Sequence, residues 1–124
     1  MRYSETMDGR KILLVDDEDD IREILQTRLE MSGFEVASSP SGNEAIRLIQ
    51  SGYKPNLVLS DGRMPNGDGP SLFRWLKENS VDCPVVFMTG FTDDAEHGFS
   101  GAAAVFAKPF SFDDLLKKIE ELFS

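Results

Sequence analysis

The chain has 124 residues, enough for one domain with a sizeable core and too few for two. Its 22 acidic against 13 basic side chains give a formal charge of −9, which disfavours nucleic acid and anionic membranes as partners. The single cysteine, Cys83, excludes an internal disulfide, and no apolar run approaches the roughly eighteen residues that span a bilayer. Residues 1–10 are polar, lack the apolar centre of a secretion signal, and read as a short flexible leader before a domain over residues 11–124. A cytoplasmic protein is expected.

The run Lys11-Ile-Leu-Leu-Val15 predicts a first strand, with Asp16 and Asp17 directly after it. Ile21, Ile24, Leu25 and Leu29 then recur at helical spacing up to Gly33, a C-terminal cap. Glu18, Asp19 and Asp20 suit the positive end of that helix and are read as doing no more than that. Phe34 to Ser38 predicts a second strand, and Ser41-Gly-Asn-Glu44 has the form of a capping box opening a helix through Gln50. Beyond Gly52 and Pro55, Leu57 to Ser60 predicts strand three, which runs into Asp61. A turn-rich loop from Gly62 to Gly69 leads to a helix over Ser71 to Glu78.

Val85 to Met88 predicts strand four and ends at Thr89. The stretch Thr92 to Gly101 holds Gly98 and Gly101 with little apolar periodicity, so a stub or loop is expected there in place of a full fourth helix. Strand five is Ala104 to Ala107, followed by Lys108. Ser111-Phe-Asp-Asp114 opens a last helix whose Leu115, Ile119, Leu122 and Phe123 share one face.

Short apolar runs alternating with helices predict five βα units and a parallel sheet buried on both faces. Ligands of such open sheets bind outside the carboxyl ends of the strands. Asp16, Asp17, Asp61, Thr89 and Lys108 each follow a strand, so residues far apart in the chain converge on one rim.

Those residues carry a resemblance. Leu14-Val-Asp-Asp-Glu18, Asp61-Gly-Arg-Met-Pro65 with Gly67-Asp-Gly69, Met88-Thr-Gly90 and Lys108-Pro-Phe110 resemble the receiver domain of two-component response regulators, over about Lys11 to Phe123. The resemblance implies an α/β, flavodoxin-like, doubly wound parallel sheet with strand order 2-1-3-4-5. It also implies a phosphoacceptor that takes a phosphoryl group from a sensor histidine kinase or histidine phosphotransfer protein, then switches affinity for a downstream effector. By resemblance, Asp17 binds Mg²⁺ or Mn²⁺ directly, Asp16 binds it through water, and the backbone carbonyl of Arg63 is a further ligand. A signalling protein is implied rather than an enzyme, as a monomer or a phosphorylation-linked dimer.

The residue types support the same chemistry. A carboxylate needs no deprotonation to attack phosphorus, which suits Asp61 as acceptor. Divalent cations favour carboxylate and phosphate oxygens, Lys108 offers a compact positive charge, and Thr89 a hydroxyl donor. Carboxylates gathered without a cation repel and raise one another's pKa, so the metal and Lys108 are both expected to keep Asp61 ionised. Gly90 leaves room for a bulky donor. Cys83, Trp75 and His97 are read as structural or surface residues.

Two features depart from the family pattern. Val105 stands where a switch aromatic is usual, and Phe106 beside it faces the other side of its strand. Thr89 and Lys108 are 19 positions apart, about one helical turn fewer than is usual. These features favour an alternative, a phosphorylation-independent binding module of the same fold. A flavin carrier fits poorly, because Asp16 to Asp20 would repel its phosphate. An aspartyl phosphatase would want an acid where Arg63 stands. The chain ends just after the last helix, which leaves no room within it for an output domain.

Overall fold

A computed structural model describes residues 10–90 and 99–124. Five strands lie within them: β1 (Lys11–Val15), β2 (Glu35–Ser39), β3 (Leu57–Asp61), β4 (Val85–Thr89) and β5 (Ala104–Ala107). All pair in parallel, in the order β2-β1-β3-β4-β5, which is the expected flavodoxin-like arrangement. The described helices are α1 (Asp19–Met31), α2 (Gly42–Gln50), α3 (Gly69–Glu78) and α4 (Phe112–Phe123). None is long and apolar enough to cross a membrane.

Successive residues of a strand leave opposite faces of the sheet, and this alternation sorts the core in two. Ile12 and Leu14 of β1, Leu57 and Leu59 of β3, and Val86 and Met88 of β4 pack with Leu25 and Leu29 of α1 and Leu115 and Ile119 of α4. Leu13, Val15, Val58, Val85 and Phe87 point the other way, onto Ala45 of α2 and Leu72, Phe73 and Leu76 of α3. The expectation of a sheet buried on both faces holds for β3 and β4 and nearly so for β1. It fails at the edges, where β2 and β5 keep exposed positions because each has a neighbour on one side only.

Helix starts follow the capping chemistry. Ser41 accepts a hydrogen bond from the Glu44 N–H at 3.2 Å, and Ser111 accepts one from Asp114 N–H at 3.3 Å. α3 begins two residues before its expected start, because Asp68 caps it by accepting from Ser71 N–H at 2.9 Å and Pro70 fits the first turn. α1 ends as expected just before Gly33, whose φ of 97° suits glycine. Its apolar stripe is narrower than its spacing implied. Leu25 and Leu29 are buried, while Ile21 and Ile24 are 39% and 55% exposed and border a surface groove with Pro109, Phe110 and Phe112.

Of the expected leader, residues 1–9 lie outside the described set. Arg10 is anchored: its guanidinium lies 4.3 Å from the Phe34 ring centre and pairs with Glu120 at 3.0 Å. The expected stub over Thr92 to Gly101 also lies outside the described residues as far as position 98. Phe99 to Gly101 form a turn, closed by Ala102 N–H donating to the Phe99 carbonyl at 3.0 Å.

The loop after β3 is threaded through a tight space. A methyl group at Gly69 would sit 2.6 Å from the Asp61 carbonyl oxygen and 2.8 Å from the Phe87 ring. Helix propensity alone favours alanine there. Gly69→Ala is nonetheless expected to lower stability by about 1–3 kcal/mol, read as a reduced urea midpoint. Gly90→Ala, whose methyl meets nothing within 4 Å, is the matched control with little effect.

Candidate functional site

Backbone hydrogen bonds carry the strand pairing on at the carboxyl rim, joining β3 and β5 to β4 and β1 to β2. Gly62 N–H donates to the Met88 carbonyl at 2.9 Å, Lys108 N–H to the Thr89 carbonyl at 2.7 Å, and Asp16 N–H to the Ser39 carbonyl at 3.1 Å. These bonds continue the sheet past its last paired side chains, and with Val15 of β1 registered on Ser60 of β3 they leave Asp16, Asp61, Thr89 and Lys108 at neighbouring strand ends. Strand alternation sets their directions. Asp61 follows Leu57 and Leu59 onto the α1 and α4 face, whereas Thr89 follows Val85 and Phe87 onto the other. A point one bond from the Gly62 α-carbon lies 3.2 Å from the Thr89 hydroxyl oxygen, so Thr89 approaches the acceptor strand from beside Gly62.

Asp17, Glu18, Asp61, Arg63, Thr89, Gly90 and Lys108 line one hollow of about 330 Å³. Asp61 is buried at its floor. Its Oδ1 accepts the Gly62 N–H at 2.8 Å and pairs with Lys108 Nζ at 3.2 Å. Every site residue expected from the sequence is thus at this hollow except Asp16, which lies fully buried just beneath it.

One carboxylate oxygen each from Asp16, Glu18 and Asp61 lie within 4.8 Å of one another. Asp17, expected as the direct ligand, lines the hollow but is not part of this tightest group, and Glu18, read from the sequence as a helix-end charge only, is. The Glu18 N–H donates to Asp16 Oδ1 at 2.9 Å, leaving the buried Asp16 Oδ2 with no hydrogen-bond partner. A buried carboxylate oxygen without a donor is costly, and crowded oxygen donors around it are what a hard divalent cation prefers. The residues present therefore fit such an ion.

Burial is the largest cause lifting the Asp16 pKa to about 6, with the charges of Asp61 and Asp17 adding to it and the Glu18 N–H opposing it. Asp61 is also raised, first by burial, while Lys108 and the Gly62 N–H act against the rise. Mutual repulsion was the expected cause; withdrawal from water outweighs it. Arg22 steadies the strand end from the side, donating to the Asp16 carbonyl at 2.7 Å while pairing with Asp19 at 2.7 Å. Of the residues given structural roles, Trp75 and Cys83 are half-buried against the α2 and α3 core, and His97 lies outside the described residues. Val105 is exposed and Phe106 packs inward against Phe110, as the strand alternation predicted.

Because the folded-state pKa of Asp16 lies above its unfolded value near 3.8, the native state holds this proton more tightly. Its contribution to stability is greatest at low pH and is lost as pH rises through about 6. In chelator, urea unfolding should show stability rising by on the order of 1–2 kcal/mol from pH 7.5 to pH 5. Saturating Mg²⁺ should raise stability at pH 7.5 and flatten that dependence. A metal-free protein that is less stable at pH 5 would contradict the assignment.

Comparison with known proteins points one way. The family model described as response regulator receiver domain matches residues 12–120. A probable transcriptional regulator, ycf27 of Cyanophora paradoxa, is 41% identical over 116 residues, covering 91% of this chain and 48% of the relative. The phosphate regulon transcriptional regulatory protein PhoB of Pseudomonas aeruginosa is 37% identical, covering 92% of this chain and 52% of the relative. The chain thus spans about half the length of the curated relatives it matches. Among solved structures, the receiver domain of the Francisella response regulator 1452 aligns with a TM-score of 0.84 at 29% identity, over 92% of this chain and 96% of that one. Response regulator TrrA of Thermotoga maritima, in complex with Mg²⁺ and BeF, aligns at 0.83 and 30% identity, over 91% and 98%.

Proposed function

Since the chain belongs to the response regulator receiver family, we propose that it is a phosphoacceptor of a two-component relay. It takes a phosphoryl group from a histidine kinase or histidine phosphotransfer protein onto Asp61. The observation that carries this reading is the buried Asp61 carboxylate, held 3.2 Å from Lys108 Nζ within a cluster of further carboxylates. Such a carboxylate is aimed, partly desolvated and charge-compensated, which is what a nucleophile toward phosphorus requires.

The Asp61 oxygen forms a bond to phosphorus as the phosphorus–nitrogen bond of the donor imidazole breaks, and the imidazole leaves with the electron pair. Lys108 then exchanges its carboxylate partner for a phosphoryl oxygen without leaving the hollow. The Thr89 hydroxyl donates to a second phosphoryl oxygen, which draws the end of β4 toward β3. Asp16, Asp17, Asp61 and the Arg63 carbonyl would hold Mg²⁺ or Mn²⁺, which would supply positive charge to the transferring group. The chain assists only its own phosphorylation and dephosphorylation, and its output is changed affinity for a downstream protein. Its site of action is the cytoplasm.

Incubation with Mg²⁺ and a small acyl phosphate is expected to add one phosphoryl group by intact mass, with none added to Asp61→Asn or in chelator. Lys108→Ala is expected to slow the gain by about tenfold or more, through loss of a charge partner to the transferring group. No gain in the wild-type protein would replace this reading with a binding module that works without phosphorylation.

A further inference from the structure

Glu18 is the N-cap residue of α1, with extended backbone (φ −89°, ψ 112°), yet its side chain makes no capping hydrogen bond. Glutamate is not among the residues that cap well, because its carboxylate is carried one carbon too far from the backbone. The neighbouring charge, Asp19, is tied up by Arg22 at 2.7 Å. Glu18 instead sends its carboxylate back over β1, to within 4.8 Å of the Asp16 and Asp61 oxygens. That is a poor place for a third negative charge unless a cation is shared. The same Asp16 carboxylate also carries a buried Oδ2 with no hydrogen-bond partner, a second and independent sign that this group wants a cation.

We propose that Glu18 is a further carboxylate of the cation site, a positioning residue that strengthens divalent binding from the solvent side. It is exposed where Asp16 is fully buried. Glu18 therefore acts on the hydrated face of the ion, accepting hydrogen bonds from water that a small divalent cation retains, while Asp16 and Asp61 lie beneath. This assignment rests on the receiver reading above, but it makes a separate claim, since that reading needs only the Asp16, Asp17, Asp61 and Arg63 set.

Binding of Mn²⁺, counted directly as loss of the free-ion electron paramagnetic resonance signal, separates the two. Glu18→Gln is expected to weaken Mn²⁺ binding about three- to tenfold, through loss of one charge a few ångströms from the ion. Asp19→Asn removes the same charge one residue along and outside the cluster, and is expected to change it less than about twofold. Glu18→Asp, which keeps the charge but shortens its reach, should fall between wild type and Glu18→Gln. Equal effects of Glu18→Gln and Asp19→Asn would reduce Glu18 to a long-range charge and overturn the proposal, while leaving the site intact if Asp16→Asn still abolishes binding. A wild-type protein that binds no Mn²⁺ would overturn both readings.

Discussion

The central strand of the sheet delivers a carboxylate to a place where water can hardly reach it, and the surroundings of Asp61 are arranged around that cost. An isolated buried carboxylate would simply take up a proton. Lys108 from the end of β5 and the N–H of Gly62 offset the loss of solvent, and the two act on the same oxygen, Oδ1. Asp17 pulls in the opposite sense, adding negative charge beside it. The site is thus left short of positive charge by design of its strand ends. That shortage is what the proposed cation and phosphoryl group would relieve, each through the same few ion pairs.

Backbone contacts hold the loop after Asp61 with little slack. Gly69 N–H donates back to the Gly62 carbonyl at 2.9 Å, closing the loop upon itself. Farther out, Gly42 and Asn43 N–H of α2 donate to the carbonyls of Gly67 and Asn66 at 2.9 and 3.1 Å. The loop therefore supplies part of the N-terminal cap of α2, satisfying donors that a helix start leaves open. Glycine at both partners lets the chains meet, since a methyl on Gly42 would fall 2.5 Å from the Gly67 oxygen. Arg63, whose carbonyl is proposed as a cation ligand, lies within this braced segment.

Much of this was legible from the sequence because periodicity and strand-end chemistry are local signals. Apolar runs placed β1, β3, β4 and β5 to within a residue, and β2 slipped by one because its alternation is weak. The cap at Ser41 was readable from a glutamate three positions on, whereas Asp68 was hidden inside a run of turn formers that all suit loops. Exposure of Ile21 and Ile24 was not readable, since helical spacing says which residues share a face but not how wide a neighbour covers it. Glu18 escaped for a related reason. An N-cap residue has left the strand period and not yet entered the helical one, so neither predicts where its side chain points.

The clasp around Arg10 has a geometric consequence. Its guanidinium lies over Phe34 and within 5.9 Å of the Phe123 ring centre, and it pairs with Glu120, so the entry to β1 and the last turn of α4 are fastened side by side. In a parallel sheet, the beginnings of strands gather at the rim opposite their carboxyl ends. Ser124 therefore leaves the molecule from the pole farthest from Asp61. A fluorophore, affinity handle or solid support joined at Ser124 projects away from the acidic hollow, which stays uncovered while the chain is held by its other end.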